Sequence, residues 1–237
     1  MGITYKAVNV VVGHYGVGKT NFALNWALDV ASSGVPVILA DFDVVNPYFR
    51  SSDYTPMLEQ AGIRVIAPVL AGSSLDTPSI SGAVSIAIEN AYAQAGNADA
   101  PVVIIDAGGD DVGATVLGRF SKCIAAGDYQ MLYVVNKYRN LTQDVASAVQ
   151  IKDEIELKSH LCITGVVNNS HLREETQPQT ILDACAFGSE CAQMMQVELV
   201  CTTALDMLLE QKKEAFEGVQ EQAMFYPVKM LVRTPWE

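Results

Sequence analysis

Residues Gly13-His14-Tyr15-Gly16-Val17-Gly18-Lys19-Thr20 carry the spacing G-x-x-x-x-G-K-T. In such a loop the backbone N–H groups, together with the N-terminus of the following helix, cradle a phosphate. Lys19 is then placed to reach the β- and γ-phosphates, and Thr20 to put its hydroxyl on Mg²⁺. Asn21 continues the same binding surface into the helix. Asp106 closes the apolar run Val102-Val103-Ile104-Ile105, where a carboxylate meets Mg²⁺ directly or through water. Gly109 completes D-x-x-G, in which a glycine N–H can meet a γ-phosphate. Asp43 is the candidate to polarise an attacking water or to hold Mg²⁺ through its hydration shell, so Asp43 and Lys19 form the expected catalytic pair. Asp41, nearer the strand end, is suited to orienting loop backbone or water.

Two amides complete the candidate set. Asn136 and Asn168 each follow an apolar run, and each can donate to and accept from a base edge; an asparagine tolerating a turn is the competing explanation. Asn136-Lys137-Tyr138-Arg139 superficially matches the guanine-reading N-K-x-D, but Arg139 stands where the acid would pair the base amino group. His14 is either a loop side chain facing solvent or a partial charge near phosphate. Arg50 is either phosphate-facing or a surface cation. Cys185 and Cys191 read as buried thiols rather than metal ligands.

Strands must bring these residues together. Val8 to Val12 is an unbroken apolar run, as in a strand buried on both faces of a parallel sheet. Further strands are expected at 35–40, 64–70, 101–105, 131–135, 162–167, 197–201 and 228–232, the last at an edge. Helices are expected at 21–32, 57–62, 80–95, 113–125, 142–156 (capped by Asn140 or Thr142), 178–195 (divided near Gly188) and 205–222. Alternating strands and helices imply an α/β fold: a P-loop NTPase with a mostly parallel central sheet and helices on both faces. Asp41/Asp43, Asp106, Asn136 and Asn168 all fall at strand ends, where ligands of such sheets bind. Residues 1–237 fit one nucleotide-binding domain.

Composition narrows the functional classes. A net charge of −12 argues against general nucleic-acid binding, which needs clustered Lys and Arg. No apolar run reaches membrane-span length, and neither a signal peptide nor an amphipathic terminal anchor is evident. Five cysteines without a C-x-x-C pair suggest a reduced, cytoplasmic protein.

Four blocks carry a resemblance to the MinD/ParA-like ATPases, the CobQ/CobB/MinD/ParA nucleotide-binding domains. They are Gly16-Val17-Gly18-Lys19-Thr20, Asp41-Phe42-Asp43, Ile104-Ile105-Asp106-Ala107-Gly108-Gly109 and Gly165-Val166-Val167-Asn168-Asn169. The resemblance implies ATP and Mg²⁺ as ligands, slow ATP hydrolysis, a nucleotide-dependent homodimer and switching of a protein partner. It places Asn168 against adenine. His14 departs from the pattern, standing where many members carry a second lysine. Two alternatives stay open: an enzyme phosphorylating a small acceptor, as in dethiobiotin-synthetase-like and cobyric-acid-type proteins, with the serine-rich loops 51–55 and 71–81 as its pocket, or a metallochaperone ATPase.

Overall fold

A computed structural model describes residues 2–43, 50–68, 82–109, 111–216 and 224–232. Eight strands form a single sheet: β1 (Val8–Val12), β2 (Val37–Phe42), β3 (Arg64–Ile66), β4 (Val102–Ala107), β5 (Tyr129–Val135), β6 (Gly165–Asn168), β7 (Glu198–Leu205) and β8 (Phe225–Val228). Their order is β3-β2-β4-β1-β5-β6-β7-β8, and every pairing is parallel. β1, which feeds the glycine loop, therefore lies between β4 and β5. Asp106 sits beside Val11 on one flank and Asp41 on the other.

The helices are α1 (Lys19–Ser32), α2 (Thr55–Gln60), α3 (Ala83–Ala93), α4 (Asp111–Arg119), α5 (Ser121–Ile124), α6 (Val145–Ser159), α7 (Pro178–Leu182), α8 (Cys185–Met195), α9 (Asp206–Gln211) and α10 (Lys213–Phe216). Strand side chains alternate between faces, and two cores result. On one face Val10, Ile105, Tyr133 and Val166 pack beneath α3, α6 and α8. On the other, Val11, Leu39, Ile104, Val134 and Val167 pack beneath α1 through Phe22, Trp26 and Val30. This parity decides which polar residues reach the glycine loop. Asp41, Asp106 and Asn136 each follow a residue of the first core (Ala40, Ile105, Val135), so they belong to the α1 face.

Several boundaries differ from expectation. β2, β4 and β7 each extend further toward the site than their apolar runs suggested, so Asp41 and Asp106 lie within strands rather than after them. The helix expected at 113–125 breaks at Phe120, and α6 is capped by Asp144, whose Oδ1 accepts from Ser147 N at 2.9 Å, rather than by Asn140 or Thr142. The break expected at Gly188 falls at Asp183-Ala184. Gly188 lies inside α8, where a Cβ would come within 2.7 Å of Asn168 Cβ, so its missing side chain lets helix and strand approach. The terminal strand ends at Val228. Residues 44–49, 69–81 and 217–223, within which parts of the expected switch loop, third strand, serine-rich loop and penultimate helix fall, lie outside the described residues.

Candidate functional site

The glycine loop enters α1 without a side-chain cap: Gly18 is the N-cap, at φ 93°, and the first turn of α1 holds no acidic residue. A helix start with no side-chain cap and no acidic residue in its first turn is suited to an anion. The loop is braced from across the sheet. Asn169 Nδ2 donates to Val17 O at 2.7 Å, and Asn169 Oδ1 accepts from Thr203 Oγ1 at 2.6 Å. Gly18 leaves room for that brace, because a Cβ there would lie 2.3 Å from Asn169 Nδ2.

Lys19 is buried, and its ammonium donates to His14 O at 3.1 Å, folding back over the loop. Gly109 lies directly against it, since a Cβ at that position would be 2.5 Å from Lys19 Nζ. Asp106 is 1 % exposed, and neither of its carboxylate oxygens has a hydrogen-bond partner of good geometry. Its pKa is pushed up to about 7, first by burial and then by the Asp41 charge, against the opposing pull of Lys19 and the nearby Thr20 hydroxyl. A buried carboxylate with both oxygens orphaned, beside a lysine and a hydroxyl, has the donor set and the electrostatic demand that a divalent cation satisfies. Thr20 and Asp106 therefore fit Mg²⁺ from the protein side.

Asp41 has the backbone role expected of it. Its Oδ1 accepts from Asp43 N at 2.9 Å and its Oδ2 from Ser52 N at 3.0 Å, and burial raises its pKa. It thereby fixes the loop that carries Asp43. Arg50 begins the short 3-10 turn Ser51–Tyr54, with its N–H donating to Asp53 Oδ2.

A cavity of about 390 Å³ runs from Tyr15–Asn21 and Asp43 across the ends of β5 and β6. Arg139, His171 and Arg173 line it beyond these strand ends, and Asn136, Asn169, Met230 and Val232 complete its wall. A second cavity of about 320 Å³ lies beyond the glycine loop, bounded by Gly13, His14, Gly109, Glu154 and Lys158. Gly13 and His14, expected among the cofactor-binding residues, thus line the second cavity and not the first.

Two other expectations change in detail. Asn168 lies on the α8 face, one residue out of phase with the site, and lines no part of the cavity. Its Nδ2 donates to Ala184 O at 2.9 Å and its Oδ1 accepts from Ser170 Oγ at 2.6 Å, so its amide serves packing rather than a base edge. Asn21 lines the cavity, but its side chain holds the chain end: Nδ2 donates to Lys229 O, and Oδ1 accepts from Leu231 N and Val232 N. Asn136 is where it was expected, with Oδ1 committed to Tyr138 N at 2.9 Å. Among the described residues no group of three or more His, Cys, Asp or Glu could hold a metal, and burial pushes the Cys191 thiol up to about 12, away from the thiolate a soft metal requires.

Asn169, His171, Arg173, Met230 and Val232 were missed. Strand alternation was the available signal for Asn169; nothing local marks the others.

No family model and no curated protein matches the sequence. Solved structures with similar folds include the signal recognition particle 54 kDa protein from Aeropyrum pernix K1 in complex with GDP, at TM-score 0.54 and 13 % identity, covering 84 % of this chain and 41 % of that one. Chloroplast FtsY from Physcomitrella patens matches at TM-score 0.54 and 17 % identity, covering 85 % and 59 %. The cell division protein FtsY from Thermotoga maritima matches at 0.50 and 20 %, covering 84 % and 62 %. The chain thus spans less than two thirds of the length of these neighbours. These likenesses support the fold and not the narrower MinD/ParA resemblance. No helix among the described residues is long and apolar enough to cross a membrane. The sheet order, the glycine loop opening α1 and these neighbours together establish an α/β P-loop NTPase fold.

Proposed function

We propose that this chain binds a Mg²⁺–purine nucleoside triphosphate in the larger cavity, hydrolyses it slowly, and uses the bound and spent states to switch a protein partner. The observation that supports this reading best is the convergence of Lys19, Thr20 and the orphaned Asp106 carboxylate at the uncapped start of α1. The loop N–H groups of residues 16–20 donate to the phosphate oxygens, and Lys19 exchanges His14 O for a phosphate. Thr20 and Asp106 hold Mg²⁺, which when bound neutralises charge on the phosphates. Asp43, steadied by Asp41 and lining the same cavity, accepts a hydrogen bond from the attacking water.

Calorimetry of the full chain with Mg²⁺ and nucleoside triphosphates tests this. Lys19→Ala is expected to weaken binding roughly tenfold to hundredfold, the range for hydrogen bonds to charged groups. Asp43→Ala is expected to keep binding and slow hydrolysis about a hundredfold. Unchanged affinity in the lysine variant removes the phosphate reading; an unchanged rate in the aspartate variant removes the water role. A protein captured by Asp43→Ala and not by Lys19→Ala supports the switch.

One observation favours a second reading, phosphoryl transfer to a small acceptor. The cavity of about 320 Å³ abuts Gly109, beside Lys19, and offers His14, Glu154 and Lys158 to an acceptor. Acceptor-dependent release of the nucleoside diphosphate would distinguish it.

A further inference from the structure

Nothing in the phosphate loop says which base is read, and the far end of the larger cavity is chemically one-sided. His171 is 5 % exposed, and its Nδ1 accepts from Arg173 N at 3.2 Å. The ring proton must then sit on Nε2, which is buried without a hydrogen-bond partner. Arg139 follows β5 and Arg173 follows β6. Both lie near enough to join burial in lowering the His171 pKa to about 4, so the ring is neutral and acts as a donor at physiological pH. The nearby side-chain amide oxygens are each engaged: Asn136 Oδ1 accepts from Tyr138 N, and Asn169 Oδ1 from Thr203 Oγ1. Among the described residues that line the cavity, Asp43 at the phosphate end is the sole carboxylate. The β5 loop is also braced, since Lys137 Nζ donates to Asp183 O and the Tyr138 hydroxyl to Thr180 O.

We propose that Arg139, His171 and Arg173 read the O6/N7 edge of a 6-oxopurine, so that the site prefers guanine and hypoxanthine nucleotides to adenine ones. This rests on the nucleotide reading above. Guanine and hypoxanthine present two adjacent acceptors, O6 and N7, which suit a guanidinium or an imidazole N–H. Adenine replaces O6 with an amino donor, which would face other donors and leave them unpaired. Arg139 thus takes a different part from the acid of N-K-x-D: it addresses the opposite edge of the base.

Calorimetry of the full chain with Mg²⁺ and GDP, IDP, ADP or 7-deaza-GDP tests the proposal. GDP and IDP are expected to bind alike, and ADP at least about tenfold more weakly, the discrimination of one good base contact. 7-Deaza-GDP, which lacks the N7 acceptor, falls between them. Arg139→Ala, at an exposed position, should bring GDP to the level of ADP while leaving ADP unchanged; His171→Gln should do so in part. Equal affinity for ADP and GDP overturns the base reading alone. So does an equal loss of all four ligands in Arg139→Ala, which would assign that arginine to phosphate. Binding of none of the four by the unaltered chain overturns the nucleotide reading and this proposal with it.

Discussion

The two ends of the larger cavity are built on opposite principles. The phosphate end is lined by one continuous segment, Tyr15–Asn21, and by Asp43, with Asp41 and Asp106 buried behind it on β2 and the adjacent β4. Carboxylates crowd there around one lysine, and the excess negative charge calls for a cation. The far end has no carboxylate among its described lining residues and gathers arginine and histidine donors from the loops after β5 and β6. Burial disfavours the charged form at both ends, holding Asp106 up at about 7 and His171 down at about 4. A ligand cation resolves the first demand and a ligand acceptor the second. One elongated ligand carrying Mg²⁺ on its phosphates would satisfy both.

These opposite shifts give the largest expected effect, a stability profile in which the two ends oppose each other with pH. Asp106 binds its proton more tightly folded than unfolded, so its contribution is full below about 4 and is lost as pH rises toward 7. The nominal size is up to roughly 4 kcal/mol. His171, with its folded pKa depressed, contributes stability above about 6.5 that is lost as pH falls toward 4, nominally about 3 kcal/mol. Denaturant melts of the ligand-free chain between pH 4 and 8 should separate them. Because the two windows overlap, Asp106→Asn should leave stability rising with pH between about 4 and 6.5, and His171→Gln should leave it falling between about 4 and 7. If neither substitution changes the profile, the contrast between the ends is wrong. Mg²⁺–nucleotide affinity should also fall below about pH 7, as protons compete for Asp106.

The same contrast sets what could be read from the sequence. The glycine loop, the apolar run before Asp106 and the α/β alternation are local patterns, each fixed by residues close in sequence, and they mark the fold and the phosphate end. Asp144 was missed as the cap of α6 because Asn140 and Thr142 offer the same chemistry nearby, and only the backbone path selects among them. The far end was illegible for a different reason. His171 becomes a donor only through Arg173 N, and it meets Arg139 only because β5 and β6 pair. The contacts that place Met230 and Val232 cross some two hundred residues of chain, linking Asn21 to the backbone of Leu231 and Val232.

Asn168 and Asn169 sharpen the comparison at intermediate size. They are consecutive residues, yet Asn169 braces the glycine loop while Asn168 packs against α8. Each loses buried hydrogen bonds on truncation, so Asn168→Ala and Asn169→Ala should both cost about 2 kcal/mol in denaturant melts. Their effects on nucleotide affinity should diverge. Asn169→Ala frees Val17 O and loosens the loop, weakening binding roughly tenfold, a shift that about 1.4 kcal/mol of lost preorganisation produces. Asn168→Ala should leave affinity unchanged. A selective loss of adenine nucleotides in Asn168→Ala would instead return that asparagine to the base and reverse the parity argument.

The smallest effect tests whether the chain end belongs to the site. Asn21 and Asn25, one helical turn apart on α1, hold Lys229, Leu231 and Val232 through their backbone, and this brings Met230 and Val232 to the cavity wall. The bonds are partly exposed for Asn25 and more buried for Asn21, so Asn21→Ala is the sharper change. It should cost about 1 kcal/mol of stability. Because Asn21 accepts two of these N–H groups, its loss should also speed amide hydrogen exchange at Leu231 and Val232 while leaving exchange within β8 unaltered. If Met230 and Val232 form part of the binding wall, bound nucleotide should restore some protection at those two amides in the variant. If exchange there is the same with and without nucleotide, the segment is packing for α1 and the cavity ends at His171 and Arg173.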